Sequence, residues 1–175
     1  MAIREFNEDT IPISLLERKF IEQSLFEKIH ENTVIVCHDI LIRCKGPSQE
    51  GILLSERLDE PAKNILYPVG GRLLRGVSIE DSIHRKVKVE CGLDIHNITN
   101  LSVERTFFKT DPFSHEGGTD TLNLVYIADG VGIIKLNTTL TNPVFITKDS
   151  YKGIRPKLSP YNQAILDIVD EKNLW

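Results

Sequence analysis

The chain has 175 residues, 21 Lys and Arg against 25 Asp and Glu, and a formal charge of −4. Its length suggests one domain over 1–175, and 41% apolar with 26% charged residues is a globular balance that can bury a core without disulfides or a structural metal. The acidic balance argues against a general nucleic-acid binder, which needs a basic face, and no apolar run approaches the roughly 18 residues of a membrane span.

The charged start, MAIREFNEDT, lacks the apolar stretch of a secretory signal. Residues 13–31 place Leu15, Leu16, Phe20, Ile21, Leu25, Phe26 and Ile29 at helical spacing, so 1–32 is expected to be a helical N-terminal segment. The stripe is wide enough to pack on the body of the protein or on a second subunit. A core over 33–150 follows. Residues 33–44, rich in β-branched side chains, read as a strand, and 51–57 as its returning partner after the turn around Gly46. Pro68, Gly70 and Gly71 mark 67–72 as a loop. Ser78 opens a helix that runs to Cys91 and stops at Gly92.

Strands are expected near 101–108, 121–128, 131–136 and 143–147. A polar loop, KTDPFSHEGGTD, joins the first two. Ser159 and Pro160 open a closing helix within 158–173. The cysteines Cys37, Cys44 and Cys91 have no CxxC spacing, which fits a reduced, cytoplasmic protein without a cysteine zinc site. The class is α+β: a mixed, mostly antiparallel sheet with helices on its faces.

The informative stretch is 67–93. On the 78–91 helix, Ile79, Ile83 and Val87 share one side, and Glu90 falls within about 20° of Ile79. A carboxylate on a packed face needs a cation or hydrogen bonds. Two kinds of partner are open: an ion pair with Lys86, four residues earlier, or with Arg85, and a divalent cation helped by carbonyls of the Gly-rich loop.

With those residues in view, the segment resembles a degenerate Nudix box, the loop–helix–loop that holds magnesium against a diphosphate. Gly71, Arg85, Val87, Glu90, Gly92 and Leu93 match the pattern. Val77, Lys86 and Val89 stand where the family has glutamates. A reduced box is similar to that of the GDP-mannose mannosyl hydrolase branch, which cleaves a GDP-sugar at the sugar carbon with fewer magnesium ligands. The likeness extends over about 33–147 and includes Ser55-Glu56-Arg57 with Pro61, Pro68-Val69-Gly70-Gly71-Arg72, and Gly118-Thr119-Asp120. It implies a Nudix-like α/β/α sandwich. It also implies Arg57 and Arg72 on the diphosphate, the Gly71 carbonyl and Glu90 as magnesium ligands, and a homodimer with the N-terminal segment near its interface. The branch's first box Glu is absent here, and 138–142 hold no His or Gln where it has a base and a ligand.

From the residues themselves, His115 in the polar loop, beside Glu116 and Asp120, reads as a general base, with Asp120 as the other group able to activate water. Lys86, if it points at Glu90, sets its ammonium where a metal charge normally sits and reaches the diphosphate directly. The expected function is Mg-assisted hydrolysis of a small nucleotide sugar or a related diphosphate. The rival is a catalytically degenerate module of the same fold that binds a nucleotide sugar, and a weaker third possibility is a structural dimer built on the 13–31 helix.

Overall fold

The computed structural model describes residues 3–8, 12–16, 21–46, 49–113 and 116–175. Strand β1 (Ile35–Cys44) is the axis of a seven-stranded sheet. Its C-terminal half pairs antiparallel with β2 (Gly51–Arg57), Ile42 opposite Leu53. Its N-terminal half pairs antiparallel with β4 (Val69–Arg72), Asp39 opposite Gly70 and His38 opposite Gly71. On its other side it runs parallel to β6 (Thr119–Val131) over its whole length. β3 (Leu66–Tyr67) and β7 (Leu140–Ile146) pair with β2, and β5 (Asp94–Phe108) forms the far edge on β6.

Alternation along β1 divides the core into two layers. Ile40 and Ile42 pack beneath Ile83, Val87 and Cys91 of helix α2 (Ile79–Cys91). Leu41 faces the opposite way, toward Ile165, Leu166 and Val169 of helix α4 (Pro160–Glu171) and Tyr151 of helix α3 (Lys148–Ile154). The result is the expected sandwich of a mixed sheet between helical layers.

Helix α2 begins as its sequence dictates: the Ser78 hydroxyl accepts from the Asp81 amide, and Gly92 closes it in the left-handed region at φ 74°. The Glu5 carboxylate also accepts from the Ile79 amide at 3.1 Å, placing an anion at the positive end of the helix dipole. Ser159 caps α4 in the same way, with Pro160 at its first position.

Three expectations are corrected, and one helix is additional. The 13–31 stripe is not one helix: Ile13–Leu16 form a short 3₁₀ turn, helix α1 spans only Gln23–Asn32, and 17–20 lie outside the described residues. Within 67–72 only Pro68 is outside a strand, Tyr67 ending β3 and 69–72 forming β4, because Gly70 lets β4 lie flat on β1; a β-carbon there would meet the Asp39 carboxylate and the His38 carbonyl. The short strand near 131–136 is absent; beyond Val131 the chain spends its amides on α2, Lys135 donating to the Cys91 carbonyl and Asn137 to that of Glu90, both at 2.9 Å. Those bonds satisfy helix-end carbonyls that otherwise lack partners. Helix α3 was not anticipated: it is only seven residues long and contains Gly153, although Thr147 and Ser150 form a capping box at its start.

Candidate active site

The sheet leaves a cleft of about 610 Å³ on its α4 side. Its floor follows from strand alternation. Ile35, Cys37 and Asp39 of β1 and Thr119, Thr121 and Asn123 of β6 all project into it. The wall is made by Arg57 and the segment after β2, by Tyr67, and by Phe108 at the end of β5. Helix α1 closes one side with Phe26 and His30, and Phe26 meets Phe113 edge-on at 5.3 Å between ring centroids.

Arg57 and Arg72 both line the cleft. The Arg57 guanidinium sits 5.9 Å from the Tyr67 ring centre, and its Nε is buried without a hydrogen-bond partner. The Arg72 guanidinium lies over the Phe26 ring at 4.2 Å, so α1 aims a residue of β4. Sequence patterning offered no sign that the N-terminal helix shapes the cleft.

Asp39 is the acid that sequence reasoning passed over. It is 4% exposed at the cleft floor, and its Oδ2 accepts a 2.5 Å hydrogen bond from the Tyr161 hydroxyl of α4. Burial pushes its pKa up to about 6, with Glu90 adding to the rise; the Tyr161 bond and the charges of Arg57 and Lys86 hold it from going higher. The available signal was a lone carboxylate in the apolar run VIVCHDILI, the same anomaly that singled out Glu90. Tyr161 also stacks on Tyr67, rings 5.3 Å apart and 16° from parallel. Burial raises the neighbouring Cys37 thiol to about 12, which keeps it protonated and a poor nucleophile. His38 points to the other layer, where its Nε2 meets the Ser82 hydroxyl at 2.8 Å, and burial holds it neutral by lowering its pKa.

Glu90 is buried, as its position on the wheel requires, and its partner is Lys86: Nζ lies 2.8 Å from Oε1. Arg85 is exposed. A β-carbon on Gly71 would stand 2.7 Å from the same ammonium, so Lys86 fills the space between Glu90 and the Gly-rich strand. This donor set does not suit magnesium. The cation would need that carboxylate and the Gly71 carbonyl, and the ammonium pairs with the first and fills the space beside the second. Among the described residues, no three His, Cys, Asp or Glu side chains gather about a common point.

Asp120 does not reach the cleft. Thr119 and Thr121 project into it, so Asp120 between them projects to the opposite face. There Arg105 grips it with two bonds, 3.0 and 2.8 Å. The ion pair holds Asp120 below the usual carboxylate range, the wrong direction for a base. His115 lies outside the described residues.

No protein-family model matches the sequence. The chain is 26% identical over 143 residues to the low-salt glycan biosynthesis protein Agl8 of Haloferax volcanii, a match covering 80% of this chain and 87% of that one. Its fold is similar to the MutT protein of Methanosarcina mazei Go1, with a TM-score of 0.63 at 16% identity over 80% of this chain and 95% of the other. It is also similar to the NUDIX domain of Shewanella oneidensis NrtR, solved in complex with ADP ribose, with a TM-score of 0.61 at 11% identity over 87% and 99% of the two chains. No described helix is long and apolar enough to cross a membrane. Built around a parallel β1–β6 pair with α2 on one face and α4 on the other, the chain has the Nudix fold.

Proposed function

We propose that the chain is a hydrolase of a nucleoside diphosphate sugar, GDP-mannose-like, that cleaves the bond between the sugar and the diphosphate. The observation that carries this reading is Arg57, which lines the cleft with a buried Nε that has no hydrogen-bond partner. Arg72 stands on the same cleft, and guanidinium forks match phosphate oxygens. The ring of Phe108 suits a nucleobase, and Thr121 and Asn123 suit sugar hydroxyls. The likeness to a protein named for glycan biosynthesis supports a sugar-bearing substrate.

In this reading Asp39, with a pKa near 6, is ionised at neutral pH and basic enough to accept a proton from water. The water oxygen bonds to the anomeric carbon as its proton passes to Asp39. The bond from that carbon to the diphosphate oxygen breaks, and its electron pair leaves on the diphosphate, where Arg57 and Arg72 neutralise the growing charge.

The test is incubation with a panel of nucleoside diphosphate sugars, followed by phosphorus and proton NMR. Free sugar and nucleoside diphosphate are expected. Nucleoside monophosphate would place the cut between the phosphates instead. Binding without turnover favours the second reading, a nucleotide-sugar binding module, which the Lys86–Glu90 pair supports because it engages the box's remaining acid.

A further inference from the structure

We propose that the ammonium of Lys86, held by Glu90 against Gly71, is a built-in cation that receives the diphosphate, so that this chain recognises a nucleoside diphosphate without a divalent metal ion. The inference rests on the diphosphate reading of the cleft and concerns what supplies its third positive charge.

Lys86 is fixed from two sides. Glu90, one turn later on α2, takes Nζ at 2.8 Å. Gly71 provides the space: a β-carbon there would stand 2.7 Å from Nζ and 2.8 Å from Cε, and its φ of 151° already disfavours any side chain. The glycine that elsewhere in such a box would offer a carbonyl to a metal here accommodates a lysine head.

Position and chemistry then suit an anion. Gly71 borders the cleft, and the Lys86 side chain is 31% exposed, so the ammonium is reachable from the rim of β4. Its field extends to the floor, where it pulls down the pKa values of both Asp39 and Cys37. An ammonium carries three donors and no acceptor. Glu90 takes one, which leaves two for phosphate oxygens. Arg57 and Arg72 line the cleft, and the Lys86 ammonium stands beside Gly71 at its border.

The test is titration of the full chain with GDP and with inorganic pyrophosphate by calorimetry, in excess EDTA and again in millimolar magnesium. Equal affinity under both conditions is expected. Affinity that collapses in EDTA and returns with magnesium overturns the inference while leaving the diphosphate reading intact. No binding under either condition overturns both. Lys86→Gln alone leaves Glu90 buried and unpaired, so the informative variant is Lys86→Gln/Glu90→Gln, which removes the pair together. It should weaken GDP binding by roughly 10- to 100-fold, the usual loss for a charge-assisted hydrogen bond, and Lys86→Arg should restore most of it. Unchanged affinity in the double variant, with an unchanged melting curve, overturns the role of Lys86. Lys86→Glu should also gain Mn²⁺ binding by electron paramagnetic resonance where the natural chain shows none; Mn²⁺ bound tightly by the natural chain counts against the proposal.

Discussion

The hydroxyl of Tyr161 donates a 2.5 Å hydrogen bond to the carboxylate of Asp39, joining the last helix to the central strand across 122 positions of sequence. A bond donated to the charged form lowers a carboxylate's pKa, and here it offsets part of the rise that burial causes. Tyr161→Phe removes the donor and keeps the ring that stacks on Tyr67. If Asp39 is the base, the acid limb of kcat/KM should move to higher pH in this variant, because Asp39 then holds its proton longer. The pH–rate profile decides it, and an unmoved limb removes Asp39 from the role.

The same carboxylate costs stability. In the folded chain Asp39 titrates near 6 rather than at the ordinary 3.8, so the folded state binds this proton more tightly than the unfolded state. Its contribution to stability is therefore most favourable below pH 4, declines between about 4 and 6, and stays low above that. Asp39→Asn keeps an acceptor for Tyr161 and removes the buried charge. It should raise stability at pH 7–8 by roughly 1–3 kcal/mol and leave it nearly unchanged at pH 3.5, while abolishing turnover. Chemical denaturation across that pH range checks the sign.

Arg72 is aimed by Phe26, whose ring lies 4.2 Å from the guanidinium carbon. Phe26→Leu preserves an apolar residue on α1 but takes away the ring face. A cation–π contact is worth about 0.5–2 kcal/mol, so affinity for GDP should fall by roughly 2- to 30-fold. Arg72→Ala should lose more and should also lower kcat, since charge on the leaving group grows in the transition state. Calorimetry together with steady-state rates separates the two effects.

The layers of the fold were legible because they follow from local rules: the β-branched run of β1, the Ser78 and Ser159 caps, the Gly92 stop. Burial of Glu90 was legible too, from the helical wheel. What escaped is non-local. Gly70 and Gly71 read as loop punctuation because the strand they belong to exists only against β1. Residues 132–137 carry an apolar pattern, yet their amides serve the end of α2. Phe26 enters the cleft through a contact that no spacing within 13–31 encodes. Asp39 was within reach, since the argument that flagged Glu90 applies to any lone acid in an apolar strand.

Asp120 provides the sharpest test of strand parity as a guide to chemistry. Its neighbours Thr119 and Thr121 face the cleft, and its own carboxylate faces away into a two-bond clasp with Arg105, which in turn lies over the Phe107 ring at 5.0 Å. A base in that position would have to leave Arg105, cross the strand and regain basicity that the ion pair suppresses. Asp120→Asn should therefore leave kcat and KM unchanged. Its only effect should be a small loss of thermal stability that disappears in high salt, as expected of a solvent-screened surface pair. A general base typically contributes about 10²- to 10⁴-fold to the rate, so steady-state kinetics discriminates without ambiguity: a fall of that size in Asp120→Asn, with GDP affinity intact, would mean that β6 presents its other face to the substrate and that Asp39 is not the base.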